Sequence, residues 1–277
     1  MKVKVYGSTG SFYKYSGSFY GGNTTCFVFQ SGDFSLIVDA GTGIVKFDKE
    51  LRSEYPDYPS GIEKNVAMVL SHFHIDHIIG LAAYAPAWND SANISIYAVP
   101  FDDSPLNEQI FGLFHPPYWP LDLKNAKVNC VPMVKNQPIN IGPMTVTPMP
   151  APHLNGAMSF HISDGKKSIV YMLDSEMQAL DAAGYESFIK VCTDADIVVF
   201  DACYAPEDYE SRRGWGHSTY EDGVELAHRS GCKRMLFSHF APEYEESEIN
   251  RWKQEISKRF PNDDRFIFAH EGMEIAL

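Results

Sequence analysis

Strand-length apolar runs recur along the chain at 2–6, 25–30, 34–39, 66–70, 94–99, 127–133, 144–149, 158–163, 168–173, 196–201, 234–238 and 266–269. Helical spacing with polar faces falls at about 44–54, 77–84, 183–192, 218–230 and 245–259. Strands predominate early and helices alternate with them later, which predicts an α/β fold. Nothing reads as a linker, so residues 1–277 are expected to form a single domain. The chain also echoes itself: MVLSHFHIDH and MLFSHFAPEY each run from an apolar strand into Ser-His-Phe, and two similar halves would bring two strand ends and their histidines toward one edge. One stretch is irregular. FGLFHPPYWPLDL (111–123) holds three prolines and four aromatics, a stiff loop able either to stack on a flat ligand or simply to cover core.

Composition narrows the class. At 44% hydrophobic and 21% charged, with 20 Gly and 17 Pro spread along it, this is an ordinary globular sequence. The opening MKVKVYGSTG alternates like a strand and lacks the apolar core of a secretory signal, while no later run is long enough to cross a bilayer. A cytoplasmic, soluble protein without membrane partners is expected. Cys26, Cys130, Cys192, Cys203 and Cys232 form no CxxC pair and read as reduced core residues. A formal charge of −13 repels a polyanion over most of the surface, which disfavours long RNA or DNA as a partner. A small anion escapes that exclusion, because a bound dication dominates the field inside a pocket.

The candidate chemistry lies in SHFHIDHIIG (71–80), which places His72, His74, Asp76 and His77 inside six positions. Histidines two apart in an extended segment point the same way, and the turn that follows lets Asp76 and His77 approach from another side at a helix start. One short segment can thus serve two metal centres. A structural zinc site would more often use closely spaced cysteines, so nitrogen and oxygen ligands without a nearby thiol favour a catalytic site.

These residues match the HxHxDH signature of the metallo-β-lactamase superfamily, and the resemblance extends over residues 25 to 240. LIVDAGTGI (36–44) resembles the family's strand ending in Asp-x-Gly, PAPHLNGAMSF carries a third-motif histidine, IVYMLDSE a bridging carboxylate, and LFSHFAP a last histidine. The resemblance implies an αββα sandwich of two mixed β-sheets flanked by helices, with metals at one sandwich edge. Carried over by position, it implies one divalent ion held by His72, His74, His153 and Asp174, and a second by Asp76, His77, His239 and Asp174, with a bridging hydroxide as nucleophile. Asp39 would steady a ligand histidine from behind. Zinc, manganese and iron all suit such ligands. Taken locally, His153 also reads as a loop histidine and Asp174 as a helix cap, and Asp201 in VVFDACY is a rival bridge.

Members of the superfamily hydrolyse lactams, lactones, thioesters and phosphodiesters, so fold alone does not select the reaction. GHST, within RRGWGHSTYEDG (212–223), resembles the His-Ser-Thr motif of the ribonuclease Z-like phosphodiesterase branch. That resemblance implies His217 as the group assisting the leaving oxygen and Asp201 as its orienting partner. A departing alkoxide must be protonated or stabilised, and a positioned imidazole does either near neutral pH. The local alternative is a turn followed by a helix capped at Ser218 or Thr219. Arg212 and Arg213 read as solvated charge in preference to phosphate ligands. His153 and Asp174 are 21 positions apart, which leaves no space for the basic, glycine-rich arm with which bacterial ribonuclease Z grips tRNA. YGGNTTCFVF (20–29) resembles the opening of armless branch members, which include cyclic-nucleotide phosphodiesterases, and no catalytic role falls to Asn23. The expected function is hydrolysis of a small phosphodiester, a cyclic nucleotide or related cyclic phosphate, with Phe114, His115, Tyr118 and Trp119 covering or stacking the base. The rivals are a metal-dependent lactonase or carboxylic-ester hydrolase and, further off, a non-catalytic sensing module. A homodimer is implied by analogy with ribonuclease Z alone.

Overall fold

A strand that is apolar at every position must be covered on both faces, and VAMVL (66–70) and IVVF (197–200) are such strands. The computed structural model, which describes residues 1–15, 17–89, 91–122 and 128–277, satisfies that demand with four layers. The chain enters the first sheet with β1 (Lys2–Gly7), β2 (Cys26–Ser31) and β3 (Phe34–Val38), antiparallel neighbours in turn. It continues through β4 (Val66–Leu70), β5 (Ser95–Ala98) and β6 (Asn129–Pro132), each parallel to the one before. The second sheet repeats the plan. There β7 (Ile139–Ile141), β8 (Met144–Pro150), β9 (Met158–Ser163) and β10 (Ser168–Met172) are antiparallel, and β11 (Ile197–Asp201), β12 (Met235–Ser238) and β13 (Phe266–Phe268) follow in parallel. A last strand, β14 (Glu274–Ala276), returns to pair with β1 at the edge of the first sheet.

Side chains sort between layers with period two. Phe27 and Phe29 of β2, Ala67 and Val69 of β4, and Ile197 and Val199 of β11 fill the core between the sheets. Their neighbours face outward. Val28, Met68 and Leu70 pack under α1 (Ile44–Glu54), α2 (Ile75–Ile78), α3 (Ala85–Trp88) and α4 (Leu106–Phe111). On the other side Val198 and Phe200 pack under α5 (Ala182–Cys192), α7 (Tyr220–Ser230) and α8 (Glu246–Arg259), and the short α6 is Tyr209–Arg212. The result is an αββα sandwich of two mixed sheets. Four cysteines are buried, Cys130 is half-buried, and all five are free. Among the described residues no helix is long and apolar enough to cross a membrane.

Departures from the expected elements have local causes. The helix expected over 77–84 is broken into α2, a tight 79–83 turn and α3. Gly80 passes so close to the Gly41 carbonyl that no side chain fits, and Pro86 starts a new turn. The strands β7 and β14 are three residues long, too short for periodicity to register. Of the strand expected at 127–133, Lys127 lies outside the described residues and β6 occupies 129–132.

The buried Asp196 ties the second sheet together at its far end, accepting from the Ser168 amide (3.0 Å), Lys167 Nζ (3.0 Å) and Lys233 Nζ (2.9 Å). Burial pushes its carboxyl up, but the Lys233 and Lys167 bonds and the Ser168 amide outweigh that and hold it at about 2. A carboxyl depressed on folding stabilises above its unfolded value, and that contribution is lost as pH falls through the folded one. Asp196→Asn is therefore expected to lower stability by about 1 kcal/mol at neutral pH, allowing for the exposure of both lysines. Urea unfolding should show the difference at pH 7 and its disappearance near pH 2.

Candidate metal centre

The carboxyl ends of the parallel strands from both sheets converge on one edge. His72 follows β4, Asp174 follows β10, Asp201 ends β11 and His239 follows β12, so the two echoed Ser-His turns come together there. Three residues at these ends, Asp39, Asp174 and His239, have φ of 63°, 55° and 65°. Left-handed backbone is unfavourable for a side chain with a Cβ, and it clusters where surrounding structure holds a functional geometry. Here it reverses the chain directly after a strand, at the residues whose side chains enter the cluster.

All seven expected ligands meet. Ring nitrogens of His72, His74 and His153 lie within 4.8 Å of one another, as do donor atoms of Asp76, His77 and His239. Asp174 spans the two groups. Its Oδ1 is 3.8 Å from His72 Nε2 and 3.7 Å from His153 Nε2, and its Oδ2 is 3.1 Å from His77 Nε2 and 3.4 Å from His239 Nε2. Most of these rings are fixed from behind, which turns the other nitrogen inward. His77 Nδ1 donates to Asp39 Oδ2 (2.8 Å), His153 Nδ1 donates to the Gly216 carbonyl (2.8 Å), and His72 Nδ1 pairs with Ser71 Oγ (3.0 Å). Asp39 in turn accepts from Tyr171 Oη (2.6 Å), the Ser71 amide (2.7 Å) and Ser71 Oγ (2.9 Å).

The donor set fits divalent ions. His72 Nε2 and Asp174 Oδ2 are buried, face the cluster and have no hydrogen-bond partner, a costly arrangement unless something else occupies the space between them. Burial, aided by neighbouring imidazoles, pushes His72, His74 and His153 below the ordinary histidine value, so they stand neutral. Burial pushes the Asp174 and Asp76 carboxyls up, but the surrounding histidines outweigh it and hold both well below the carboxylate range. Neutral imidazole and ionised carboxylate are the forms that bind metal. Burial pushes His77 down, yet Asp174, Asp76 and Asp39 together drive it well up, marking the point where positive charge is most favoured.

Beside the seven expected ligands stands a further imidazole, His217, whose donor atom lies within 4.8 Å of those of His153 and Asp174 and also of those of Asp201, Cys203 and His239. Buried His217 bonds through Nδ1 to Asp201 Oδ2 (2.9 Å), and its ring centroid is 5.1 Å from those of His153 and His239. Asp201 also accepts from the Ser175 amide (3.1 Å) and the Cys203 amide (3.0 Å), so its oxygens are already committed away from the bridge position. Thr219 does cap α7, in a reciprocal box with Asp222, and the turn preceding that cap is what delivers His217 to the cluster.

Residues 35–240 match the model of the Beta-lactamase superfamily domain. The chain belongs to that superfamily. The probable metallo-hydrolase YhfI of Bacillus subtilis is 29% identical over 244 residues, 86% of each chain. The crystal structure of YhfI from the same organism superposes with a TM-score of 0.75 at 24% identity over 99% of both chains. A diphosphatase of the PhnP family gives a TM-score of 0.69 at 19% identity, covering 100% of this chain and 97% of that one, so the metallo-β-lactamase fold is shared across the full length. Ribonuclease Z of Geobacillus kaustophilus is 32% identical over only 79 residues, 28% of this chain and 26% of that protein.

Within this superfamily fold, the other sequence candidates take plainer places. Asn23 bonds through its side chain to Glu271 (2.8 Å), tying the N-terminal segment to the C-terminal one. Arg212 pairs with Glu243 and lies over the Tyr204 ring, while exposed Arg213 pairs with Glu210. In the 111–123 loop, whose Leu123 lies outside the described residues, Phe114 is built into the core with Trp119 packed edge-on against it. His115 and the exposed Tyr118 form an edge pair.

Two working residues escaped the sequence reading. Buried Glu176 accepts from Tyr209 Oη (2.7 Å), the Gly214 amide (2.7 Å) and the Gly216 amide (2.9 Å), so it pins the turn that carries both His217 and the carbonyl behind His153. An acidic residue two positions past the strand-end Asp174 was the available signal. Gly216 has φ of 90°, and a Cβ there would lie 2.1 Å from His153 Nδ1, so the turn requires glycine. The second is Ser11, whose amide donates to Asp76 Oδ2 (2.8 Å) and which nothing local distinguishes.

Asp39 gives a clean test of support from behind. Asn tolerates left-handed backbone but lacks the charge that favours His77, so Asp39→Asn is expected to weaken zinc or manganese affinity by roughly 10- to 100-fold. Metal content after dialysis against a graded chelator measures it.

Proposed function

We propose that this metal-dependent hydrolase cleaves a small phosphodiester, of the size of a cyclic nucleotide or related cyclic phosphate. The observation that carries the reading is His217, held by Asp201 within 4.8 Å of the donor atoms of His153 and Asp174 but outside the seven-ligand set. His72, His74, His153 and Asp174 would hold one divalent ion, and Asp76, His77, His239 and Asp174 the other. Two such ions supply Lewis acidity and a nucleophile at neutral pH, which diester hydrolysis needs. His217 meets the remaining need. With Nδ1 committed to Asp201, its Nε2 is left to give a proton to the departing ester oxygen.

Burial pulls His217 down, but the charge and hydrogen bond of Asp201 outweigh it and raise the imidazole to about 9, which favours the protonated form that a donor needs. The names of two neighbours, a diphosphatase and ribonuclease Z, describe cleavage at phosphorus. A small ester is favoured because the span from His153 to Asp174 is taken up by a short turn and the β9–β10 hairpin, and the formal charge is −13.

Protein loaded with manganese or zinc is expected to bind close to two equivalents and to cleave bis(p-nitrophenyl) phosphate, with cyclic mononucleotides tried next. No turnover of any diester under metal-replete conditions would sink the proposal.

A further inference from the structure

We infer that the pocket between the 8–15 segment and α2 seats the non-leaving arm of the substrate, and that this arm is an apolar aryl or branched alkyl group. The inference rests on the phosphodiesterase reading and, within it, selects an acyclic diester over a cyclic nucleotide, whose two ester oxygens share one sugar and leave no separate arm to place here. The 8–15 segment is clamped across the metal centre. The Gly10 amide donates to the Phe240 carbonyl (2.9 Å), the Phe240 amide donates to the Ser8 carbonyl (3.1 Å), and the Ser11 amide donates to Asp76 Oδ2 (2.8 Å). Beyond that last bond a cavity of about 240 Å³ opens, with Phe12, Tyr13, Ile75 and Ile79 along its walls and Asp76 at its mouth. Phe12 and Ile75 are 68% and 48% exposed, large apolar groups held in water beside a cluster of ionised ones.

The chemistry of the walls selects the arm. Thr24 and Thr42 line the pocket too, but each hydroxyl accepts the other's backbone amide (2.9 Å both ways). A nucleobase edge placed here would exchange water for hydrocarbon walls and leave polar groups unpaired. Apolar cavities of about 150 Å³ accept a benzene ring. The pocket therefore has room for one ring or a branched alkyl chain against its apolar walls.

The test uses three p-nitrophenyl phosphodiesters whose second arm is methyl, phenyl or thymidine 5′-yl, so the leaving group is constant. With rates divided by each ester's hydroxide-catalysed rate, the metal-loaded protein should show kcat/KM at least roughly tenfold higher for phenyl than for methyl, and thymidine no better than methyl. Phe12→Ser and Ile75→Ser should bring the phenyl-to-methyl ratio of kcat/KM to within about twofold of one, whatever the rate on the methyl ester alone. Equal rates for methyl and phenyl, a preference for thymidine, or equal losses on both esters in the variants would overturn the inference. Calorimetric binding of phenyl methylphosphonate against methyl methylphosphonate separates it from the parent reading. A phenyl preference abolished by Phe12→Ser upholds the pocket even where diester turnover is absent, and no preference refutes it even where turnover is present.

Discussion

Asp174→Ala is expected to reduce diester turnover by on the order of 10³- to 10⁴-fold and to bring metal content from near two equivalents to one or fewer. Each of its oxygens faces a different ligand group, so one truncation removes a donor from both centres at once. The nearest replacement carboxylate cannot move in. Asp201 is engaged by His217 and by the Ser175 and Cys203 amides, and taking it away would release the imidazole it holds. The variant should fold, because the αββα core is built without Asp174, but with reduced stability, since His77 loses a compensating charge and alanine takes on a left-handed φ of 55°. Metal analysis after gel filtration, a far-ultraviolet dichroism spectrum and kcat on bis(p-nitrophenyl) phosphate together decide it. Wild-type metal content with activity inside tenfold would show that the bridge lies elsewhere.

That centre was legible in the sequence to an unusual degree, for a physical reason. Several of its candidate residues sit at the ends of strands buried on both faces, and such strands announce themselves as unbroken apolar runs followed at once by a polar residue: VAMVL before Ser71 and His72, MLF before Ser238 and His239, and IVVF before Asp201, the partner of His217. The convergence of strand ends follows from the echoed pattern, while the αββα sandwich and the ligand set are implied by the family resemblance. What stayed hidden depends on contacts between segments far apart in the chain. The Ser11 amide reaches Asp76 from 65 positions away, and the buried carboxylate of Glu176 is spoken for by a turn about 40 residues further on. The left-handed backbone at Asp39, Asp174 and His239 leaves no mark in composition, since none is glycine. Aromatic content misled in a specific way. The 111–123 loop drew attention as a stacking platform because it is dense in rings, yet Phe114 and Trp119 are committed to core, while the ring-bearing pocket beside the ligand cluster is assembled from the 11–13 segment, Ile75 of α2 and Ile79 of the turn after it.

His217→Ala separates phosphorus chemistry from carbonyl chemistry. On a diester with an alkyl leaving group, such as a cyclic mononucleotide, kcat is expected to fall by roughly 10²- to 10⁴-fold, because the departing alkoxide is a strong base and loses its proton donor. With p-nitrophenyl esters the loss should be smaller, since that leaving group departs as a stable anion. Lactones and carboxylic esters, whose cleavage leans on the metals and an oxyanion donor, should change only a few-fold. The pH profile carries the sign. A proton donor raised by Asp201 gives a kcat that is level at lower pH and declines as pH rises through the donor's own value, which is about 9 before metal binds. Asp201 raises the imidazole most, with smaller help from Asp174 and Asp76, so bound dications that neutralise those two carboxylates move the decline to lower pH. Asp201→Asn should move it lower again and reduce kcat on the alkyl ester without the same effect on the p-nitrophenyl one. Equal losses across alkyl diesters, aryl diesters and lactones in His217→Ala would mean that the imidazole supports the fold of the centre and donates no proton, and the carboxylic-ester reading would then take precedence.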